Sequence, residues 1–150
     1  MKLLIPPPIQ ALFSAIIMWL LSKYLYQANF NLNQNIGFGL VCLIIGLAII
    51  ILSINKFRQI KTTISPLNPN KTSFLVVNGI YRYTRNPMYL GLLFILLSIG
   101  LYLKNYVSFS IILFFIFFIT KNQIIPEEEA LESIFGEEYK KYKQKVRRWI

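Results

Sequence analysis

Histidine and aspartate are absent from all 150 residues, and cysteine occurs once. Without histidine the chain can build neither a His-ligated metal site nor a His general base. The lone Cys42 excludes an intrachain disulfide, and its place midway along an apolar run reads as packing rather than as a nucleophile. Carboxylates are confined too: all six are glutamates between Glu127 and Glu138, and the first 126 residues carry none. Ten lysines and arginines are scattered through that acid-free stretch. A carboxylate beside a membrane surface is costly to desolvate unless it meets something positive. The run Pro126-Glu127-Glu128-Glu129-Ala130-Leu131 is therefore the first place to look for a site.

What is abundant is apolar. Hydrophobic residues make up 55% of the chain and charged ones 15%, with a mean hydropathy of +0.53. That is too apolar for an ordinary soluble domain, while the length suits a single domain. The net charge is +10. In a soluble chain this would suggest nucleic acid, but here the cations flank apolar segments. Anionic lipid headgroups and topology explain them better, and no nucleic-acid partner is expected.

Four apolar segments, about 9–26, 36–54, 88–103 and 106–120, read as an all-α integral membrane protein with about four transmembrane helices. The last two are short and separated only by Lys104-Asn105, so they form a tight helical hairpin. No small-residue cleavage site follows the first segment, so it is read as a membrane helix rather than a signal peptide. The Gln27–Asn35 loop is uncharged, whereas Asn55–Pro87 holds Lys56, Arg58, Lys61, Lys71, Arg82 and Arg85. By the positive-inside rule that loop and both termini face the cytoplasm, which places the chain in the cytoplasmic (inner) membrane. Lys23 and Lys104 sit at helix ends, where lysine snorkels. Gly37-Phe38-Gly39 precedes no β-α unit and reads as small-residue helix packing, not a nucleotide loop.

The tail, about 126–150, reads as a C-terminal amphipathic cytoplasmic helix. Pro126 suits a first helical position, and the glutamates behind it suit the positive end of the helix dipole. On a helical wheel Leu131, Phe135, Tyr139, Tyr142, Val146, Trp149 and Ile150 share one face, rimmed by lysines and arginines, with a break or bend near Gly136. Glu128 projects into that apolar face, Glu127 lies at its border and Glu129 points away.

A second dense block runs from Gly79 to Gly91. Asn86-Pro87 is a good helix start, with Asn86 as the cap. The free N–H groups of such a start attract anions, and Arg85 adds a cation beside them. Tyr81, Tyr83 and Tyr89 offer ring faces to an adenine or a sulfonium, or equally anchor the interface.

Arg85-Asn86-Pro87-Met88-Tyr89-Leu90-Gly91, preceded by Gly79-Ile80-Tyr81-Arg82 and followed by Pro126-Glu127-Glu128 and Phe135-Gly136-Glu137-Glu138-Tyr139, resembles the isoprenylcysteine carboxyl methyltransferase and phospholipid methyltransferase superfamily. The resemblance runs from about Lys56 to Ile150, and Thr62-Thr63 with Pro66 fits the loop of the small bacterial members. Asn86 stands where the eukaryotic-type pattern has histidine. The resemblance implies one membrane methyltransferase domain over residues 1–150 that uses S-adenosyl-L-methionine at the cytoplasmic face. Carried over by position, Tyr81, Arg85, Asn86, Pro87, Tyr89, Gly91, Glu127 and Glu128 would bind the cofactor, with Gly91 permitting close approach. Arg85 and Glu128 are the catalytic candidates. Arg148 and Trp149 match the end of the family's tail, as an anchor more than as a lid. No metal is expected.

Methyl transfer asks the protein to align donor and acceptor and to exclude water, and a thiolate or carboxylate acceptor needs no general base. The acceptor is expected to be lipophilic or a small molecule, entering from the bilayer. Rival readings are a non-catalytic membrane scaffold and a small transporter, although a proton-coupled transporter usually needs an intramembrane acid and the four segments have none. A nicotinamide-dependent membrane reductase is more remote.

Overall fold

A computed structural model describes residues 5–28, 36–60 and 74–150. Thr62-Thr63 and Pro66 lie outside them, as do Lys61 and Lys71. Every regular element among the described residues is helical: α1 (Pro7–Tyr24), α2 (Ile36–Ile60), α3 (Pro87–Leu103), α4 (Tyr106–Ile119), α5 (Ile125–Phe135) and α6 (Glu137–Lys145). Short 3-10 turns cover Tyr26–Ala28 and Gly79–Arg82.

The start of α1 follows from its prolines. Pro7 takes a first-turn position, where its missing N–H costs nothing, and Pro6 accepts from the amides of Ile9 and Gln10. α2 continues six residues beyond the expected Ile54, carrying Lys56 and Arg58 on its last turns. Helices α2 and α3 cross in close contact because both are bare where they meet. A Cβ on Gly46 would stand 2.7 Å from the Gly91 carbonyl oxygen, and one on Gly91 would stand 2.5 Å from Ile50 Cγ1. Gly39 also faces α3, whereas a Cβ on Gly37 would meet nothing, so the small-residue contact is centred further along α2 than Gly37-Phe38-Gly39 suggests.

The hairpin between α3 and α4 is as tight as its two-residue connection requires. Lys104 adopts a left-handed conformation (φ 51°) that closes α3. The fully buried Asn105 accepts from the Val107 amide at 2.9 Å, capping α4, and donates to the Leu25 carbonyl at 2.9 Å, tying down the end of α1. The core runs between α1, α3 and α4 through Met18, Leu96, Ile112, Phe115 and Ile119. The end of α1 and the α3–α4 turn thus share one end of the bundle. The end of α2, the start of α3 and the last 30 residues share the other.

Outside the core the surface is apolar. Phe13, Trp19, Phe38, Ile44, Leu113 and Phe117 are each more than half exposed. So large an exposed apolar surface marks contact with lipid or another partner. Two helical stretches, Gly37–Lys56 and the continuous rod Tyr106–Phe135, are long and apolar enough to cross a membrane.

That rod corrects the reading of the tail. α4 does not end before Pro126; it passes through a π turn, Thr120–Ile124, into α5 without a break. Pro126 cannot donate an amide and its ring crowds the carbonyl four residues earlier, and the wider π turn accommodates both faults. The acidic run therefore sits on a continuing helix rather than at a free start. Gly136 (φ 50°) ends α5 and α6 follows, so the expected break is there. The helix stops at Lys145, and Val146–Ile150 are not helical. Nor is most of the apolar stripe of the tail left for the membrane interface; of its residues Ile150 alone is exposed. Tyr139, Tyr142 and Val146 are buried against Leu75, Val77, Leu131 and Phe135, and Trp149 packs on the main core.

Candidate functional site

The residues before α3 and the last five residues of the chain are laced together. The Arg85 amide donates to the Arg147 carbonyl at 3.1 Å. The Arg148 carbonyl accepts from Asn86 Nδ2 at 2.9 Å and from Thr84 Oγ1 at 3.3 Å. The Asn86 amide donates to Thr84 Oγ1 at 3.2 Å, and Trp149 Nε1 donates to Thr120 Oγ1 at 3.2 Å. Asn86 is thus no side-chain cap, contrary to expectation. Its side-chain amide instead donates to the Arg148 carbonyl, in the shorter of the two bonds that carbonyl accepts. The first amides of α3 stay uncapped by it.

Inside this lacing lies an ion cluster. Glu128 is buried, as its wheel position implied, and Glu129 is exposed. Arg148 grips Glu128 in bidentate fashion, Nε to Oε1 at 3.0 Å and Nη2 to Oε2 at 2.8 Å. Arg85 Nη1 stands 3.3 Å from Oε1 of the same carboxylate, and these two side chains are only 9% and 7% exposed. The fork of Arg148 matches a carboxylate better than any lysine can. Hydrogen bonding to Glu128 raises the Arg148 pKa still further. Arg148 was expected chiefly to anchor the tail at the interface; it instead closes over the buried glutamate.

Beside the cluster Glu127 forms a second centre. Its Oε1 accepts from Tyr89 Oη at 2.7 Å and from Gln123 Nε2 at 2.6 Å. Burial pushes the Glu127 carboxyl up to about 7, although both hydrogen bonds pull it down and Glu128 adds a further upward push. Tyr81 is buried close by, its own burial raising its pKa, and its carbonyl accepts from Tyr142 Oη at 2.7 Å. Pro87 is fully buried at the head of α3. The fold therefore gathers Tyr81, Arg85, Asn86, Pro87, Tyr89, Glu127 and Glu128 at one end of the bundle. Gly91 is different: expected to let a cofactor approach, it lets α2 approach, since its Cα faces Gly46 and Ile50.

Several buried polar atoms here have no hydrogen-bond partner among the described residues: Arg85 Nε and Nη1, and Gln123 Oε1. Gln123 was not singled out from the sequence. Its signal was a position four residues before Glu127 on a helix, where side chains meet. Thr84 and Thr120 carried no signal, because their partners are 64 and 29 residues away.

Residues 35–138 match the family model described as phospholipid methyltransferase. The protein-S-isoprenylcysteine O-methyltransferase of Schizosaccharomyces pombe is 32% identical over 127 residues, covering 83% of this chain and 52% of that protein. The probable protein-S-isoprenylcysteine O-methyltransferase of Oryza sativa subsp. indica is 32% identical over 111 residues, covering 72% of this chain and 56% of that one. The chain thus spans about half the length of these two methyltransferases. An uncharacterized protein of Haemophilus influenzae is 52% identical over 63 residues, which cover all of it and 42% of this chain. No solved structure matches.

Proposed function

We propose, from the premise that this chain belongs to the phospholipid methyltransferase family, that it is an integral membrane methyltransferase using S-adenosyl-L-methionine at the cytoplasmic face. The acceptor is a lipophilic molecule or a small thiol or carboxylate. The observation that carries this is the buried Arg85–Glu128–Arg148 cluster with Glu127 beside it, in a chain whose six glutamates all lie between Glu127 and Glu138.

Helices α1 to α4 are read as four spans. Within the rod Tyr106–Phe135 the span ends near Thr120, because Lys121 and four glutamates follow. The described termini and the residues before α3 lie at the end of the bundle that holds the cations, which favours both termini in the cytoplasm.

The residues fit the cofactor by their unmet valences. Arg85 Nε, unpaired among the described residues, is a donor for a carboxylate beside the Nη1 that pairs with Glu128, helped by the open first turn of α3. Glu127 offers an acceptor for an ammonium or ribose hydroxyls, and Tyr89 and Gln123 hold it in place. Gln123 Oε1 is a further acceptor. The cofactor supplies an activated methyl group on a sulfonium. The chain orients the two reactants, and the Val146–Ile150 strap keeps water out. Where the acceptor must lose a proton, Glu127 is the group poised near neutrality to take it.

The test is transfer of a labelled methyl group from S-adenosylmethionine to extracted membrane lipids and small thiols by the purified protein. Transfer that is lost in Glu128→Gln and retained in Glu129→Gln supports the reading. Absence of both cofactor binding and transfer in the intact protein would sink it and favour a scaffold.

A further inference from the structure

A groove of about 440 Å³ runs along the outside of the bundle between α1 and α4, away from the glutamates. Its walls are almost wholly apolar, with Phe13 and Ile17 from α1 and Phe114 and Phe118 from α4. Two polar side chains line it: Ser14, whose hydroxyl donates to the Gln10 carbonyl at 3.0 Å, and Gln10, about one turn into α1 and 8% exposed. Its Nε2 is fixed by a 2.8 Å bond to the Ile5 carbonyl, while Oε1 has no partner among the described residues. A buried acceptor left unpaired in an apolar wall is costly, so a group that donates a hydrogen bond belongs there.

Placed in a bilayer as proposed above, Gln10 stands near head-group depth. The groove then descends about 10 Å from Gln10 to Ile17, along the direction of a lipid chain. Its volume lies within the usual range of small-ligand sites, about 300–1,000 Å³. We infer that this groove binds one membrane lipid, whose chain lies along Phe13, Ile17 and Phe114 and whose head group donates an N–H or O–H to Gln10 Oε1. The site rests on the membrane placement but not on methyl transfer.

Native mass spectrometry of the purified protein in detergent, without methyl donor, tests this with two lipids of identical chains. Phosphatidylethanolamine has an ammonium donor; phosphatidylcholine has none. The intact protein should take up phosphatidylethanolamine about fivefold more tightly, the size of one hydrogen bond. Gln10→Leu should bind both lipids equally, and Ser14→Phe, which fills the groove, should bind neither while melting like the parent. Equal uptake of the two lipids by the parent overturns the inference, as does a preference that survives Gln10→Leu. So does a dimer that takes up no lipid, which would make the groove a contact between copies. Transfer activity in the assay above is a separate readout, so failure of one reading leaves the other standing.

Discussion

Arg148 and Glu128 meet through two parallel hydrogen bonds, 3.0 and 2.8 Å long, across twenty residues of sequence. The contact holds the end of the chain against the glutamates. Arg85 shares the same carboxylate, its Nη1 standing 3.3 Å from Oε1.

Removing that carboxylate should loosen the tail as well as the site. In Glu128→Gln, Arg85 is left buried without a counter-charge. Breaking a buried pair this way costs about 3–5 kcal/mol, and the partial exposure of Arg148 puts the loss at the lower end. Unfolding of Glu128→Gln in detergent should therefore begin well below that of the parent, with Glu129→Gln unchanged. Affinity for S-adenosylmethionine should fall about tenfold to a hundredfold in the first variant only. Matching titration and melting curves for the two variants would refute this.

Asn86 separates capping from strapping. Asn86→Asp keeps a good capping side chain but has no N–H for the Arg148 carbonyl and sets a negative charge against it. It should lose about 1–3 kcal/mol and expose the last residues to carboxypeptidase. Asn86→His, whose ring can donate, should retain more protection. Parent-like resistance of Asn86→Asp to the protease would return the residue to the role of a cap.

Gly91 should prove a packing residue. Gly91→Ala pushes a methyl group against Ile50 and the Gly46 carbonyl, and such overpacking costs about 1–3 kcal/mol. The melting temperature should drop while the ligand-induced shift stays that of the parent. A normal melting temperature with a lost ligand shift would place Gly91 at the cofactor instead.

Glu127 gives the chain a pH dependence of definite sign. Its folded-state pKa, about 7, lies above its ordinary value of 4.5, so the folded protein holds this proton more tightly than the unfolded chain does. Stability should fall as pH rises from about 4.5 to 7 and level off above that, by on the order of 2 kcal/mol after allowing for partial exposure. Glu127→Gln should flatten the slope, and binding of a cationic ligand by the parent should strengthen as pH rises through 7. An identical slope in Glu127→Gln would assign it to another group.

Much of this was legible in the sequence because it is local. The apolar periods gave the helices, Lys104-Asn105 the hairpin, Gly136 the break, and the wheel put Glu128 inside and Glu129 outside. What stayed hidden depends on partners distant in the chain. Asn86 reads as a cap until the Arg148 carbonyl arrives from 62 residues away. Gly91 reads as a gap for a ligand until Gly46 fills it. The π turn is also invisible to a wheel of fixed period, and for that reason Pro126 looked like a beginning.

The unbroken rod from α4 into α5 also acts as a ruler. On the proposed membrane placement it leaves the hydrocarbon near Thr120 and carries Glu127 and Glu128 about 10 Å further, with no loop to vary the distance. Chemistry at the carboxylates is then stationed at a set height above the chains of the surrounding lipid. An acceptor with its reactive atom at the tip of a head group reaches that height; one with its reactive atom midway along an alkyl chain stays submerged.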